Sequence, residues 1–167
     1  MTKKLINVGL IGKTNAGKST LINSIVGEKI SIVNKKINTT LESIKGIYCL
    51  DNTQFIFYDT PGSNFLKSRI ITPTKMKTEI WEAIYNVDII LFIIDVRKYN
   101  YSETVNYLKI IHEVKKPIII VFNKIDLINN KLILPYIKDL NAINIVKDFF
   151  CVSAKYSQGI NLLINFL

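Results

Sequence analysis

Arginine, histidine and cysteine are scarce in this chain, and each scarcity narrows what it can be. Arg69 and Arg97 are the only arginines, and neither has a placement in the sequence that marks a role. The one histidine, His112, falls beside Val105 and Leu108 on an expected helix, so it reads as a packed or surface imidazole rather than a catalytic one. Cys49 and Cys151 lie far apart with no C-x-x-C spacing. Reduced, buried thiols in a reducing cytosol are expected. Long apolar runs are also missing. The longest without charge, Ile89 to Ile94, is far too short to span a bilayer, so the chain reads as soluble. The start, Met1 to Lys4 before an apolar run, superficially matches a signal peptide, but Asn7 interrupts that run and strand is the better reading. Glycine is sparse while Ile, Lys and Asn abound, which reads as genomic bias. There is no repeat, linker or low-complexity tract.

What remains is the composition of an ordinary α/β domain: 167 residues, 49% hydrophobic and 21% charged. That length supports one domain with a genuine core. The net charge of +9 exceeds what one nucleotide would balance, so an RNA partner stands against plain solubility as its reason. The lysines are scattered and form no long block. Lys35-Lys36 reads as a solvated loop in preference to an RNA contact.

The stretch Gly12-Lys13-Thr14-Asn15-Ala16-Gly17-Lys18-Ser19 is a G-x-x-x-x-G-K-[ST] phosphate loop. It lies between an apolar run, Leu5 to Ile11, and an amphipathic segment, Thr20 to Val26, as strand–loop–helix chemistry requires. Gly12 and Gly17 are expected to let the backbone curl its N–H groups toward phosphate oxygens, helped by the positive end of the helix. Lys18 is placed to reach the β- and γ-phosphates, and the Ser19 hydroxyl to coordinate Mg²⁺.

Leu21, Ile22, Ile25 and Val26 share a helical face, with Gly27 as a left-handed stop. Glu28 to Thr40 has no period and reads as a mobile connection. Ser43 to Leu50 and Thr53 to Tyr58 flank Asp51-Asn52, which predicts a tight antiparallel hairpin. Pro61 and Pro73 bound an irregular stretch. Met76, Ile80 and Ile84 predict a second helix, with Trp81, Tyr85 and the other tyrosines packing. Ile89 to Ile94 and Ile118 to Phe122 read as parallel strands covered on both faces, joined by a helix through Leu108, Ile111 and Val114. Lys124 to Tyr136 reads as a loop before a weaker helix. A short strand, Phe149 to Val152, and a helix from Gly159 complete a doubly wound, mostly parallel sheet of the P-loop NTPase class. One antiparallel edge strand and helices on both faces are expected.

Asn123-Lys124-Ile125-Asp126 follows a buried strand. The two oxygens of Asp126 can accept both donors of a guanine edge, where adenine offers no such pair. Asn123 is expected to brace the loops, and the stem of Lys124 to cover the ring. Ser153-Ala154-Lys155 follows the last strand, where a small residue lets backbone N–H near the guanine carbonyl and Lys155 can flank the ring. Asp59 can hold Mg²⁺ through water, and the Gly62 N–H can sense the γ-phosphate. Thr40, or less readily Thr39, can complete the metal shell; a plain entry into the hairpin is the bland alternative. Two loops tied to the γ-phosphate would make a loaded switch.

With these motifs in order, the chain resembles translation-factor-type GTPases, and more narrowly the Era family of bacterial ribosome-assembly GTPases. The carrying residues are Gly12 to Ser19, Gly27-Glu28-Lys29-Ile30-Ser31-Ile32, Thr39-Thr40, Asp59 to Gly62, Asn123 to Asp126 and Ser153-Ala154, with Leu134-Pro135 and Gly159 in place. The resemblance implies a GTP-binding domain over residues 1–167, followed in the whole protein by a KH-type domain that recognises 16S rRNA of the small ribosomal subunit. No KH motif is visible, and the chain stops at Leu167 inside an amphipathic helix, so a fragment is expected. The resemblance further implies GTP/GDP and Mg²⁺ as ligands, a cytoplasmic location, peripheral attachment at the inner membrane as an added option, and no stable oligomer. Leu41 stands where family members usually carry Arg, and Ser63 where Ras-like proteins place a water-orienting Gln and Era relatives a hydrophobic residue.

The implied reaction is slow hydrolysis of GTP, mostly by positioning and electrostatics. Lys18, Thr40, Gly62 and Asn15 are the candidate catalytic residues; Ser19, Thr40 and Asp59 the metal residues. The nucleotide set is Gly12 to Thr20, Asp59, Gly62, Asn123, Lys124, Asp126 and Ser153 to Lys155. Asn15 leaves two readings open: K⁺ binding in place of an arginine, or a hydrogen bond within the loop. An ATP-using P-loop enzyme is opposed by Asp126. A nucleotide-gated RNA-binding assembly factor and the G domain of a related ribosome-associated or tRNA-modification GTPase remain as rivals.

Overall fold

The computed structural model describes residues 4–27, 44–60, 81, 82 and 84–167. Thr39, Thr40, Pro61, Gly62, Pro73, Met76 and Ile80, and with them both expected switch loops, lie outside the described residues.

Strands β1 (Lys4–Gly12), β2 (Ile44–Leu50), β3 (Thr53–Asp59), β4 (Ile89–Asp95), β5 (Ile118–Asn123) and β6 (Asp148–Val152) form one sheet in the order β2-β3-β1-β4-β5-β6. All neighbours run parallel except β2 on β3, which closes the expected hairpin at Asp51-Asn52. Asp51 turns it with a positive φ of 50°, which Asp tolerates. Among the described residues the faces are covered by α1 (Lys18–Val26), α2 (Tyr101–His112), α3 (Ile133–Asn141) and α4 (Ile160–Phe166).

Period-two side chains divide the core into two layers. Ile90, Phe92 and Ile94 of β4 pack with Leu108 and Ile111 of α2 and Leu140 of α3. Leu91 and Ile93 face the other way, with Leu21, Ile22 and Ile25 of α1 and Leu163 of α4. Buried on both faces, β5 is apolar from Ile118 to Phe122 without alternation. Each such side chain contributes about 1.5–3 kcal/mol by leaving water. Helix α2 starts where the Asn100 side chain accepts a hydrogen bond from the Glu103 N–H at 2.9 Å.

Four expectations need correction. Helix α1 ends at Gly27 with φ 63° but ψ −172°, so the stop uses glycine's freedom without the left-handed helical geometry. Helix α3 begins at Ile133, three residues before Tyr136, because Pro135 sits in the first turn, where a missing N–H costs nothing. Cys49 is an exposed free thiol on edge strand β2, and only Cys151 is partly buried. Tyr85, Tyr101 and Tyr156 are exposed; Tyr48, Tyr58, Tyr99, Tyr107 and Tyr136 pack as expected.

Parallel pairing brings the strand ends that matter to one edge. Leu10 is level with Asp59, Gly12 with Ile93, Asp95 with Asn123, and Asn123 with Val152. The carboxyl ends of five strands therefore open on one crevice, where this topology places ligands.

Candidate nucleotide-binding site

The phosphate loop leaves β1 at Gly12, and the reason for that glycine is packing, not curl. A Cβ there would lie 2.4 Å from the Ile93 carbonyl oxygen of β4. The curl comes instead at Asn15 (φ 64°) and Gly17 (φ 97°). At Gly17 a Cβ would also fall 2.3 Å from the Asn123 side-chain nitrogen, so the position is closed twice over. Lys13, Thr14 and Thr20 are exposed, while Ala16 is buried.

Lys18 opens α1 and is 9% exposed. Its Nζ donates to the carbonyls of Gly12 (3.2 Å) and Lys13 (3.4 Å), holding the ammonium across the loop. Burial pushes its pKa down, and the nearby Asp59 carboxylate opposes the shift. The Ser19 hydroxyl donates to Asp59 Oδ2 at 3.0 Å. Asp59 Oδ1 is buried and has no hydrogen-bond partner among the described residues. An unpaired buried carboxylate oxygen beside a hydroxyl is costly unless a cation or water fills the place.

The other half of the crevice is held by Asn123, 1% exposed. Its Nδ2 donates to the Ala16 carbonyl at 2.9 Å, while its Oδ1 accepts from the N–H groups of Lys124 (2.8 Å) and Ala154 (3.0 Å). One side chain thus joins the phosphate loop to the turns after β5 and β6. Lys124 takes the left-handed conformation (φ 68°), and its Nζ donates to the Asn15 carbonyl at 2.6 Å and to Asp95 at 2.9 Å. The fully buried Ser153 donates its hydroxyl to Asp126 Oδ1 at 2.5 Å, leaving the Asp126 carboxylate exposed at the crevice. Lys155 is exposed, with its Nζ 4.9 Å from the Tyr156 ring centre. The sheet therefore brings Gly12 to Thr20, Asp59, Asn123, Lys124, Asp126 and Ser153 to Lys155 to one edge. Thr40 and Gly62 belong to the undescribed segments.

Two features escaped the sequence. Lys13 is ion-paired with Glu103 of α2, whose other oxygen accepts from Tyr107 at 3.0 Å. Asp95 at the end of β4 is 6% exposed and binds both Lys124 and Arg97. For Asp95 the available signal was an acidic residue at a parallel strand's carboxyl end with Arg97 two residues on, but Lys124 lies 29 residues away, and Glu103 sits within α2, 90 residues from Lys13. A cavity of about 270 Å³ runs along this flank, lined by Lys13, Asn15, Asp95 and Glu103 among others.

Comparison with known proteins gives the family. A family model described as 50S ribosome-binding GTPase matches residues 7–124. GTPase Era of Buchnera aphidicola is 39% identical over 165 residues, covering 96% of this chain and 56% of Era. GTPase Era of Mesorhizobium japonicum is 36% identical over 160 residues, 96% of this chain and 51% of that protein. Among solved structures, Era in complex with MgGDPNP and nucleotides 1506–1542 of 16S ribosomal RNA superposes with a TM-score of 0.73 at 31% identity, covering 98% of this chain and 55% of that one. Translation elongation factor SelB from Methanococcus maripaludis, in complex with the GTP analogue GppNHp, shares the fold at a TM-score of 0.74 and 23% identity, covering 99% of this chain and 33% of that one. The chain spans about half the length of the curated relatives it matches. A glycine loop tied through one asparagine to an aspartate-bearing turn, and a family model spanning most of the sequence, lead to one conclusion: the chain belongs to the 50S ribosome-binding GTPase family, with GTPase Era as a close likeness across nearly all its length.

Proposed function

We propose that this chain is the GTP-binding domain of an Era-like switch that binds and hydrolyses GTP and acts in assembly of the small ribosomal subunit through 16S rRNA. The observation that carries it is the Asn123 side chain, which ties the loop suited to phosphates to the turn bearing Asp126. One nucleotide can then bridge both. A KH-type RNA-binding domain is expected in the whole protein, beyond the GTP-binding domain of residues 1–167. The family description names the large subunit, whereas the Era structure holds 16S RNA. We follow Era because that likeness covers 98% of the chain.

In hydrolysis a water oxygen attacks the γ-phosphorus in line, and the bond to the β–γ bridging oxygen breaks. Its electron pair leaves on GDP, and the water's protons pass to the products. Lys18 offsets charge on the bridging and γ oxygens. Ser19 and Asp59 fit a hard cation: a hydroxyl, a carboxylate and an unpaired buried oxygen lie together. Ser19 and Thr40 would hold Mg²⁺ directly and Asp59 through water; when bound, the ion supplies further positive charge against the β- and γ-phosphates. The Gly62 N–H would report the γ-phosphate, and Asp126 would select guanine with Ser153 holding it in place.

Asn15, exposed on the loop, is the proposed K⁺ contact. Faster turnover in K⁺ than in Na⁺ is expected, and equal rates would discard it. A ribosomal role implies the cytoplasm. Among the described residues no helix is long and apolar enough to cross a membrane; peripheral attachment of the whole protein at the inner membrane is a further part of the proposal. The experiment that tests the core reading is competition binding of GDP, GTP and ATP to the 167-residue chain, with phosphate release followed alongside. Slow phosphate release from GTP is expected, and bound GDP should resist about a thousandfold excess of ATP. Displacement by ATP would overturn it.

A further inference from the structure

We infer that Asp95 is a positioning residue for the nucleotide base: it fixes the Lys124 side chain as a rigid cover for the guanine ring. The inference rests on the guanine-binding reading above and adds to it a residue that no motif contains.

The Asp95 carboxylate is buried, and its four acceptor places are filled. Oδ1 accepts the backbone N–H of Arg97 and its Nε, both at 3.1 Å. Oδ2 accepts Arg97 Nη2 at 2.8 Å and Lys124 Nζ at 2.9 Å. A carboxylate offers about four such places, so Asp95 has none left for a metal, a substrate or a proton in transit. Its remaining capacity is to hold what it already holds. Arg97 grips both oxygens and locks the carboxylate plane, and that plane aims Oδ2 at Lys124.

Lys124 is thereby fastened at three points. Its backbone N–H is bound to Asn123 Oδ1, its φ is left-handed, and its ammonium is shared between Asp95 and the Asn15 carbonyl of the phosphate loop. The four-carbon stem stretches between the base-reading turn and the phosphate loop. A free lysine stem loses up to about 2 kcal/mol of rotamer freedom when it is pinned. Here that cost is met during folding, so guanine meets a surface already in place. Without Asp95 the ammonium keeps one anchor, and the stem can swing into solvent.

The test uses Asp95→Asn, which preserves shape and removes the charge, in the 167-residue chain. Release of fluorescent GDP is followed by stopped flow for wild type, Asp95→Asn, Lys124→Met and the double variant. Asp95→Asn is expected to speed release about tenfold, the loss of one charge-assisted hydrogen bond. The double variant should release no faster than Lys124→Met alone, because Asp95 acts through that ammonium. Arg97→Gln, which frees the carboxylate plane but keeps the Lys124 partner, should speed release by less than Asp95→Asn does, and a larger effect than that of Asp95→Asn would count against the inference. Unchanged release in Asp95→Asn, or additive effects in the double variant, overturns the inference. A folding defect is read separately from nucleotide-free melting; if Asp95→Asn does not fold, Lys124→Met carries the test, and GDP release at the wild-type rate refutes the role of the stem. Failure of wild type to bind GDP would instead sink the guanine reading itself.

Discussion

Replacing Asn123 by alanine removes the one side chain shared by three loops. Its Nδ2 leaves the Ala16 carbonyl, and its Oδ1 leaves the N–H groups of Lys124 and Ala154. Ala16 and Ala154 are 1% and 4% exposed, so two of the three abandoned groups have little water to turn to. Each buried polar group left unpaired costs about 1–3 kcal/mol. The Lys124 N–H is nearer solvent and adds less. Allowing water into the space vacated, the sum is about 2–4 kcal/mol, or a fall in melting temperature of roughly 5–15 °C for a domain of this size. Asn123→Asp is the informative companion. It keeps both accepted bonds but sets a carboxylate against the Ala16 carbonyl, so the tie to the phosphate loop should still break. Melting followed by circular dichroism, without nucleotide and with GDP, reads both effects. A melting point within about 2 °C of wild type for Asn123→Ala would refute the reasoning, since the buried Ala154 N–H loses the acceptor it has.

Two further outcomes follow from other parts of the crevice. Gly12→Ala pushes a methyl group to within 2.4 Å of the Ile93 carbonyl, so β1 and β4 must part locally at a cost of about 1–3 kcal/mol, measurable by denaturant unfolding. Asp95 gives an acid dependence. Burial alone raises its pKa, but hydrogen bonds from Arg97 and Lys124 overcome this and hold it at about 2, below the usual 3.8. Its stabilisation is fully present above about pH 4 and is lost as pH falls through about 2; Asp95→Asn should flatten that stretch of the stability curve, by about 2 kcal/mol.

Much of this was legible because local chemistry leaves few options. The G-x-x-x-x-G-K-S spacing, the apolar β4 and β5, and the two-residue turn at Asp51-Asn52 each demand one geometry, and the hairpin and parallel sheet follow. Legibility failed where a residue's partner is distant in sequence. Gly12 reads as a flexible hinge, yet its constraint is a carbonyl on the neighbouring strand, which only the register reveals. Asp95 joins a lysine 29 residues on, and Glu103 a lysine 90 residues back; nothing in either neighbourhood encodes the pairing. Edge strands mislead in another way. Cys49 is apolar enough to look buried, but β2 has a neighbour on one side only, and the outer face of an edge needs no cover. Pro135 reads as loop until its place in a helix's first turn is known.

The whole reading depends on one carboxylate choosing the base. Ser153 steadies Asp126 from beneath, and the change Asp126→Asn keeps that contact while exchanging an acceptor for a donor. Xanthine carries an oxygen where guanine carries its amine, so affinities for GDP and XDP measured side by side are the direct test. GDP binding should fall by about a hundredfold or more while XDP binding rises above its wild-type value. Unchanged GDP affinity, with no gain for XDP, would contradict the assignment.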